Sequence, residues 1–120
     1  MPKILVVDDD HVFIELMRTL LMSNGYEVIT AGEGREGLGK TRTERPDLII
    51  LDVVMPVMDG YTMLKEVRKD EQIKNTPIIF CTGKAQKDYI QLSQGMDVDL
   101  YMTKPVDSTS LLAKIDELLQ

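Results

Sequence analysis

The chain has 120 residues, 43% of them hydrophobic, and a formal net charge of −6. That length suits one domain with its own core, and the apolar fraction excludes a disordered chain. The acidic balance argues against a nucleic-acid-binding module, which needs a basic face, and no apolar run approaches the ~18 residues of a membrane span.

The first apolar run, "KILVV" (3–7), predicts a buried strand and leads straight into Asp8, Asp9 and Asp10. Two carboxylates ~4 Å apart repel by about 4 kcal/mol at an effective dielectric of 20. Either a positive group meets these acids or they form only a turn. "HVFIELMRTLLMSNG" predicts a helix with Val12, Phe13, Leu16, Met17, Leu20 and Leu21 on one stripe, Asp10 as N-cap and Gly25 as stop. His11 reads as an exposed first-turn residue. "YEVIT" (26–30) alternates, as a half-exposed edge strand does.

"GEGREGLGKTRTERPD" carries Gly34, Gly37 and Gly39, each lowering helix propensity by up to ~1 kcal/mol. A helix is still expected there, because parallel strands need a crossover. "DLIIL" (47–51) predicts a buried strand ending in Asp52. "DGYTMLKEVRKDE" predicts a third helix capped by Asp59, with Met63, Leu64 and Val67 buried. "PIIFC" (77–81) predicts another buried strand ending in Thr82. Its Cys81 is the only cysteine, so no internal disulfide exists; a buried, inert thiol in a reducing cytosol is expected.

"KAQKDYIQLSQGMDV" predicts a fourth helix with a thin apolar set, Tyr89, Ile90 and Leu92. "DLYM" (99–102) is a weaker fifth strand, followed by Lys104 and Pro105. "DSTSLLAKIDELLQ" predicts a last helix, capped by Asp107 or Ser108, with Leu111, Leu112, Ile115, Leu118 and Leu119 as its apolar set. Strand and helix alternate five times. The expectation is one α/β domain over residues 1–120, with a central parallel sheet and right-handed crossovers. No N-terminal signal, linker or repeat is visible, so a cytoplasmic protein is expected.

In open parallel sheets, ligands bind beyond the carboxyl ends of the strands. Those ends carry Asp8, Asp9 and Asp10, then Asp52, Thr82 and Lys104, drawn from distant parts of the chain. Asp10 is accounted for as a helix cap. Asp52 is surplus to local structure, since the following turn has its own cap in Asp59. A cluster of Asp8, Asp9 and Asp52 calls for a hard divalent cation, and magnesium fits a few carboxylates plus waters. A hydroxyl and an ammonium beside it make a receptor for a phosphoryl group. Asp52 is then the natural acceptor, forming an acyl phosphate.

"ILVVDDD", "PDLIILDVVMPVMDG", "PIIFCTG" and "YMTKP" together resemble the response-regulator receiver domain of the CheY-like superfamily, across essentially the whole chain. The resemblance implies a flavodoxin-like doubly wound fold: a five-stranded parallel sheet in order 2-1-3-4-5 flanked by five helices. It implies Asp52 as the phosphorylated residue and Mg2+ as cofactor, with Mn2+ a possible substitute. Asp9 matches a direct metal ligand, Asp8 its acidic neighbour acting through water, and the Val54 backbone carbonyl a third protein ligand. Thr82 and Lys104 match the phosphoryl-contacting pair, and Tyr101 the aromatic that moves inward with Thr82. Pro105 matches a proline preceded by a cis bond.

Implied partners are a sensor histidine kinase or histidine phosphotransfer protein and a downstream protein target, with no direct nucleic-acid or membrane contact. A monomer or a phosphorylation-promoted dimer is implied, signalling through the face of the fourth helix, fifth strand and fifth helix. The chain departs from the family pattern at Gly83, at Asp97 with Gly95 before it, and at Thr41, where an apolar residue is usual. Two rivals stand beside this reading. One is a haloacid-dehalogenase-like phosphatase with Asp8 as nucleophile and Asp10 as acid. The other is a pseudo-receiver that binds without being phosphorylated.

Overall fold

Apolar runs become strands where flanking polar groups can close their ends. In the computed structural model, which describes residues 1–83 and 98–120, β1 spans Lys3–Val7, β2 Glu27–Ala31, β3 Leu48–Leu51, β4 Ile78–Thr82 and β5 Leu100–Thr103. The last four begin one residue later than the apolar runs suggest. The leading residues serve as closures instead: Asp99 accepts the Ile78 N–H at 2.8 Å through its carboxylate, and the Pro77 carbonyl accepts the Ile49 N–H at 2.9 Å. The strands form one sheet, all parallel, in the order β2-β1-β3-β4-β5.

Four helices lie within the described residues: α1 (His11–Ser23), α2 (Gly34–Glu44), α3 (Gly60–Lys69) and α4 (Ser108–Leu119). The sheet has a core on each face, because alternate strand residues point opposite ways. Leu5, Val7, Ile49, Leu51, Ile78 and Phe80 face α2 and α3. Ile4, Val6, Leu48, Ile50, Ile79 and Cys81 face α1 and α4. Continuous apolar strands are what such two-sided burial requires. Edge strand β2 is only half buried, in keeping with its alternating sequence. The helix expected over 84–98, with Tyr89, Ile90 and Leu92, falls almost wholly outside the described residues, as do Gly95 and Asp97.

Helix α1 corrects the expected stripe. Its buried residues are Phe13, Ile14, Met17 and Leu21, while Val12 and Leu16 are 69% and 61% exposed. The Asp10 cap, whose Oδ1 accepts the Val12 and Phe13 N–H groups at 2.9 and 3.4 Å, sets where the helix starts and which face turns inward. A cluster of six apolar positions is wider than the seam, so sequence spacing alone did not choose between its two edges. Asp59 and Asp107 cap α3 and α4 through the Thr62 and Ser110 N–H groups.

Helix α2 forms despite its glycines, and two of them are needed: a Cβ on Gly34 would stand 2.2 Å from the Met58 carbonyl oxygen. A Cβ on Gly37 would stand 2.8 Å from Val7 Cγ2 and 3.0 Å from Met63 Sδ, so its absence lets α2 lie against β1 and α3. Thr41, fully buried, satisfies its hydroxyl by donating to the Gly37 carbonyl at 2.8 Å. That internal bond is why a polar residue is tolerated where an apolar one was expected.

Candidate functional site at the carboxyl edge of the sheet

Strand register brings the acids together. Val7 pairs with Leu51, so Asp8 and Asp52 follow as the next residues of adjacent strands. The Asp52 N–H donates to the Val7 carbonyl at 2.9 Å, and the Asp8 N–H to Ala31 at 3.1 Å. Both backbones therefore continue the ladder and leave their side chains at the sheet edge. Asp8 is 1% exposed and Asp52 7%. Asp9 is exposed. One carboxylate oxygen from each of Asp8, Asp9 and Asp52 lies within 4.8 Å of the others, a donor set made entirely of oxygen. Such a set fits a small hard cation, whereas zinc favours nitrogen or sulfur ligands.

The loop after β3 is held close to Asp52. The Gly60 N–H donates to the Val53 carbonyl at 2.8 Å. A Cβ on Gly60 would fall 2.3 Å from the Asp52 carbonyl, so only glycine permits this approach. Val54, two residues beyond Asp52, is exposed in this loop. Val57 adopts the left-handed conformation at φ 67°, unusual for a β-branched residue.

The positive partner demanded by three acids is Lys104. Its Nζ lies 2.7 Å from Asp8 Oδ2 and 4.0 Å from Asp52 Oδ2. It also stands 4.2 Å from the centroid of the Phe13 ring, over its face. The Lys104 N–H donates to the Thr82 carbonyl at 2.8 Å, and the Lys104–Pro105 peptide is cis. Thr82 ends β4 at 1% exposure, beside Thr103 of β5. Tyr101 is half-buried on β5. Its ring meets Phe80 edge-on at 5.6 Å, Phe80 meets Tyr61 edge-on at 5.5 Å, and the two tyrosine hydroxyls are 3.5 Å apart.

Burial dominates the electrostatics. It pushes Asp52 up from 3.8 to about 6, with the Asp8 charge adding to the rise and Lys104 opposing it. Asp8 is also raised, by burial first, against the lowering effect of its hydrogen bond with Lys104. Burial would lower Lys104, but the bond to Asp8 and the charges of Asp8 and Asp52 outweigh it, and the lysine stays raised and protonated. Burial lifts the Cys81 thiol to about 12, which keeps it inert at neutral pH.

Asp8, Asp9, Asp52 and Lys104 thus meet in one place, with Thr82 on the adjoining strand end and Tyr101 one step further along β5. Asp10 is engaged as the α1 cap, its Oδ1 accepting the Val12 and Phe13 N–H groups. Phe13, expected only in the core of α1, is also a neighbour of Lys104. Tyr61, not singled out by its sequence context, meets Phe80 and the Tyr101 hydroxyl. Nothing in the sequence marks either apart from its aromatic ring.

A parallel sheet in the order β2-β1-β3-β4-β5 with helices on both faces is a doubly wound, flavodoxin-like fold, here with acids and a lysine gathered at its carboxyl edge. Residues 4–116 match the response regulator receiver domain, and the chain belongs to that family. It is 39% identical over 118 residues to the alkaline phosphatase synthesis transcriptional regulatory protein PhoP of Bacillus subtilis, covering 98% of this chain and 48% of that protein. It is 32% identical to PilH of Pseudomonas aeruginosa, covering 99% of this chain and 98% of that one. The chemotaxis protein CheY4 of Vibrio cholerae superposes with a TM-score of 0.91 at 37% identity, covering 99% of each chain.

The chain spans about half the length of several curated relatives it matches, PhoP among them, and nearly the whole of PilH. Receiver domains are signalling domains of two-component response regulators, and in general not enzymes. No helix among the described residues is long and apolar enough to cross a membrane.

Proposed function

We propose that this receiver domain, read as one unit over residues 1–120, is a phosphorylation-dependent switch with Asp52 as its acceptor. The observation that carries the proposal is the gathering of the Asp8, Asp9 and Asp52 carboxylates in one cluster with the Lys104 ammonium, which lies 2.7 Å from Asp8 and 4.0 Å from Asp52. Asp52 titrates near 6 and so is ionised at neutral pH, as a nucleophile must be. An Asp52 oxygen attacks the phosphorus of a phosphohistidine. The P–N bond breaks as the P–O bond forms, the imidazole leaves and takes a proton from solvent, and Asp52 becomes an acyl phosphate.

Asp8, Asp9, Asp52 and the backbone carbonyl of Val54 are the groups assigned to hold Mg2+, or Mn2+ in its place. The bound cation would neutralise charge on the phosphoryl oxygens. Lys104, beside Asp8 and Asp52, supplies a second positive charge, and the Thr82 hydroxyl donates a hydrogen bond to a phosphoryl oxygen. The added charge draws Thr82 and Lys104 inward, and Tyr101 follows into the space behind Thr82. The surface around β5 and α4 then changes shape for a downstream protein, a two-state element biased by one modification.

The donor is a sensor histidine kinase or a histidine phosphotransfer protein in the cytoplasm. The domain acts as a monomer or as a phosphorylation-promoted dimer, without touching nucleic acid or membrane itself.

The test is intact-protein mass after incubation with a small acyl-phosphate donor, with and without Mg2+, on the wild type and Asp52→Asn. One added phosphoryl group is expected, dependent on Mg2+ and absent from the variant. An adduct retained by Asp52→Asn would overturn the acceptor assignment. No adduct, together with no binding of a stable phosphoryl mimic, would favour the pseudo-receiver.

A further inference from the structure

We propose that Phe13 is a positioning residue for Lys104, its ring face forming the wall against which the ammonium group is held in the site. This rests on the reading of Asp52 as acceptor. Among the described residues, the ammonium lies 2.7 Å from Asp8 Oδ2, 4.0 Å from Asp52 Oδ2 and 4.2 Å from the Phe13 ring centroid. The carboxylates supply directed attraction. The ring supplies an attraction that is spread over its face and needs no fixed hydrogen-bond direction.

That difference matters because Asp8 has competing duties. Its Oδ1 accepts the Asp10 N–H at 2.9 Å and its Oδ2 accepts Lys104. If Asp8 also helps to hold a divalent cation, it has less to offer the lysine. A lysine side chain is a flexible four-carbon stem with a strongly hydrated head, and without another hold it swings toward water. Phe13 gives that hold. It is buried, fixed in the first turn of α1 by the Asp10 cap, and packed in the core cluster that contains Ile14, Met17 and Cys81. A core role alone explains the burial of the ring. It does not explain why a charged nitrogen rests over its face.

The arrangement lets Nζ move between Asp8 and the phosphoryl position on Asp52 while staying over one apolar, water-excluding surface. Phe13 thus acts through Lys104, setting where the positive charge can be.

The experiment replaces Phe13 with mono-, di- and trifluorinated phenylalanine, which keeps ring shape while draining negative charge from its face. A second variant, Phe13→Leu, removes the face altogether. Three quantities are read: the initial rate of Asp52 phosphorylation by a small acyl phosphate at saturating Mg2+, the urea midpoint, and the NMR shift of the Lys104 ε-methylene protons with and without Mg2+. In the wild type those protons are expected upfield from the ring current, and to remain upfield on adding Mg2+. The rate is expected to fall stepwise with fluorination, by about threefold to tenfold at trifluoro, with an unchanged urea midpoint. A rate that ignores fluorination, or an upfield shift that vanishes with Mg2+, overturns the proposal. A wild type that takes up no phosphoryl group at all defeats the acceptor reading instead, and the proton shift then decides the Phe13–Lys104 contact by itself.

Discussion

Lys104 sits closer to Asp8 than to Asp52: 2.7 Å against 4.0 Å. In this state the ammonium is the counter-ion of the deeply buried acid, with the acceptor carboxylate as its second neighbour. Removing it by Lys104→Met leaves Asp8 buried without its charge partner. The expected loss is about 3 kcal/mol at pH 8. Asp8 is already raised by burial, and losing Lys104 raises it further. Between the ordinary carboxylate value and that raised one, the folded state holds a proton that the unfolded chain has released, so stability falls as pH rises. Urea unfolding should show a smaller loss at pH 5 than at pH 8; equal losses would mean that Asp8 is not the group left stranded.

Asp52→Asn should stabilise the fold at neutral pH. Folded Asp52 titrates near 6 against 3.8 for the ordinary group. A raised folded value means stability that is present below about 4 and lost as pH climbs through about 6. Above that window the ionised carboxylate is a net burden, and the amide removes it. A gain of about 2 kcal/mol is expected at pH 8, shrinking to little at pH 4. Chemical denaturation across that range checks the slope.

Two glycines of α2 should respond in opposite ways to the same change. Gly37→Ala forces a methyl against Val7 and Met63. It should cost about 2 kcal/mol, since overpacking a close helix–strand contact displaces both. Gly39 is exposed, with nothing within 4 Å of its added Cβ. Gly39→Ala should stabilise by about 0.5–1 kcal/mol through helix propensity alone. Thermal melts of the two variants are sufficient.

Val57 holds φ 67° while 70% exposed. Its side chain gains little from packing, and its backbone conformation costs roughly 1–2 kcal/mol for an L-residue. Val57→Asn should therefore stabilise by about 1 kcal/mol, because asparagine tolerates this region. A destabilised Val57→Asn, measured by the same melts, would show that the valine side chain contributes packing.

Much of the fold was legible because parallel strands buried on both faces must be apolar throughout. "KILVV", "DLIIL" and "PIIFC" could hardly be anything else. The caps were equally readable, since Asp10, Asp59 and Asp107 each precede an apolar helical pattern. The gathering of Asp8, Asp9, Asp52 and Lys104 followed from one rule about strand ends. What the sequence hid depends on rotation and approach. Whether Val12 or Ile14 of α1 turned inward was decided by helix phase, and both are apolar. That Gly37 is required and Gly39 is not depends on which side of α2 meets β1. The contact between Phe13 and Lys104 joins residues 13 and 104 through three dimensions, and neither residue type announces it.

The sheet order has a consequence for the growing chain. Asp8 and Lys104 are separated by 96 positions, and β5, which delivers the lysine, is an edge strand made after all the others. A chain elongated only through β4 already carries Asp8, Asp9, Asp52 and Thr82, yet has no Lys104 to balance them. Like charges then crowd an unfinished edge until β5 docks. The site is completed by the same event that completes the sheet.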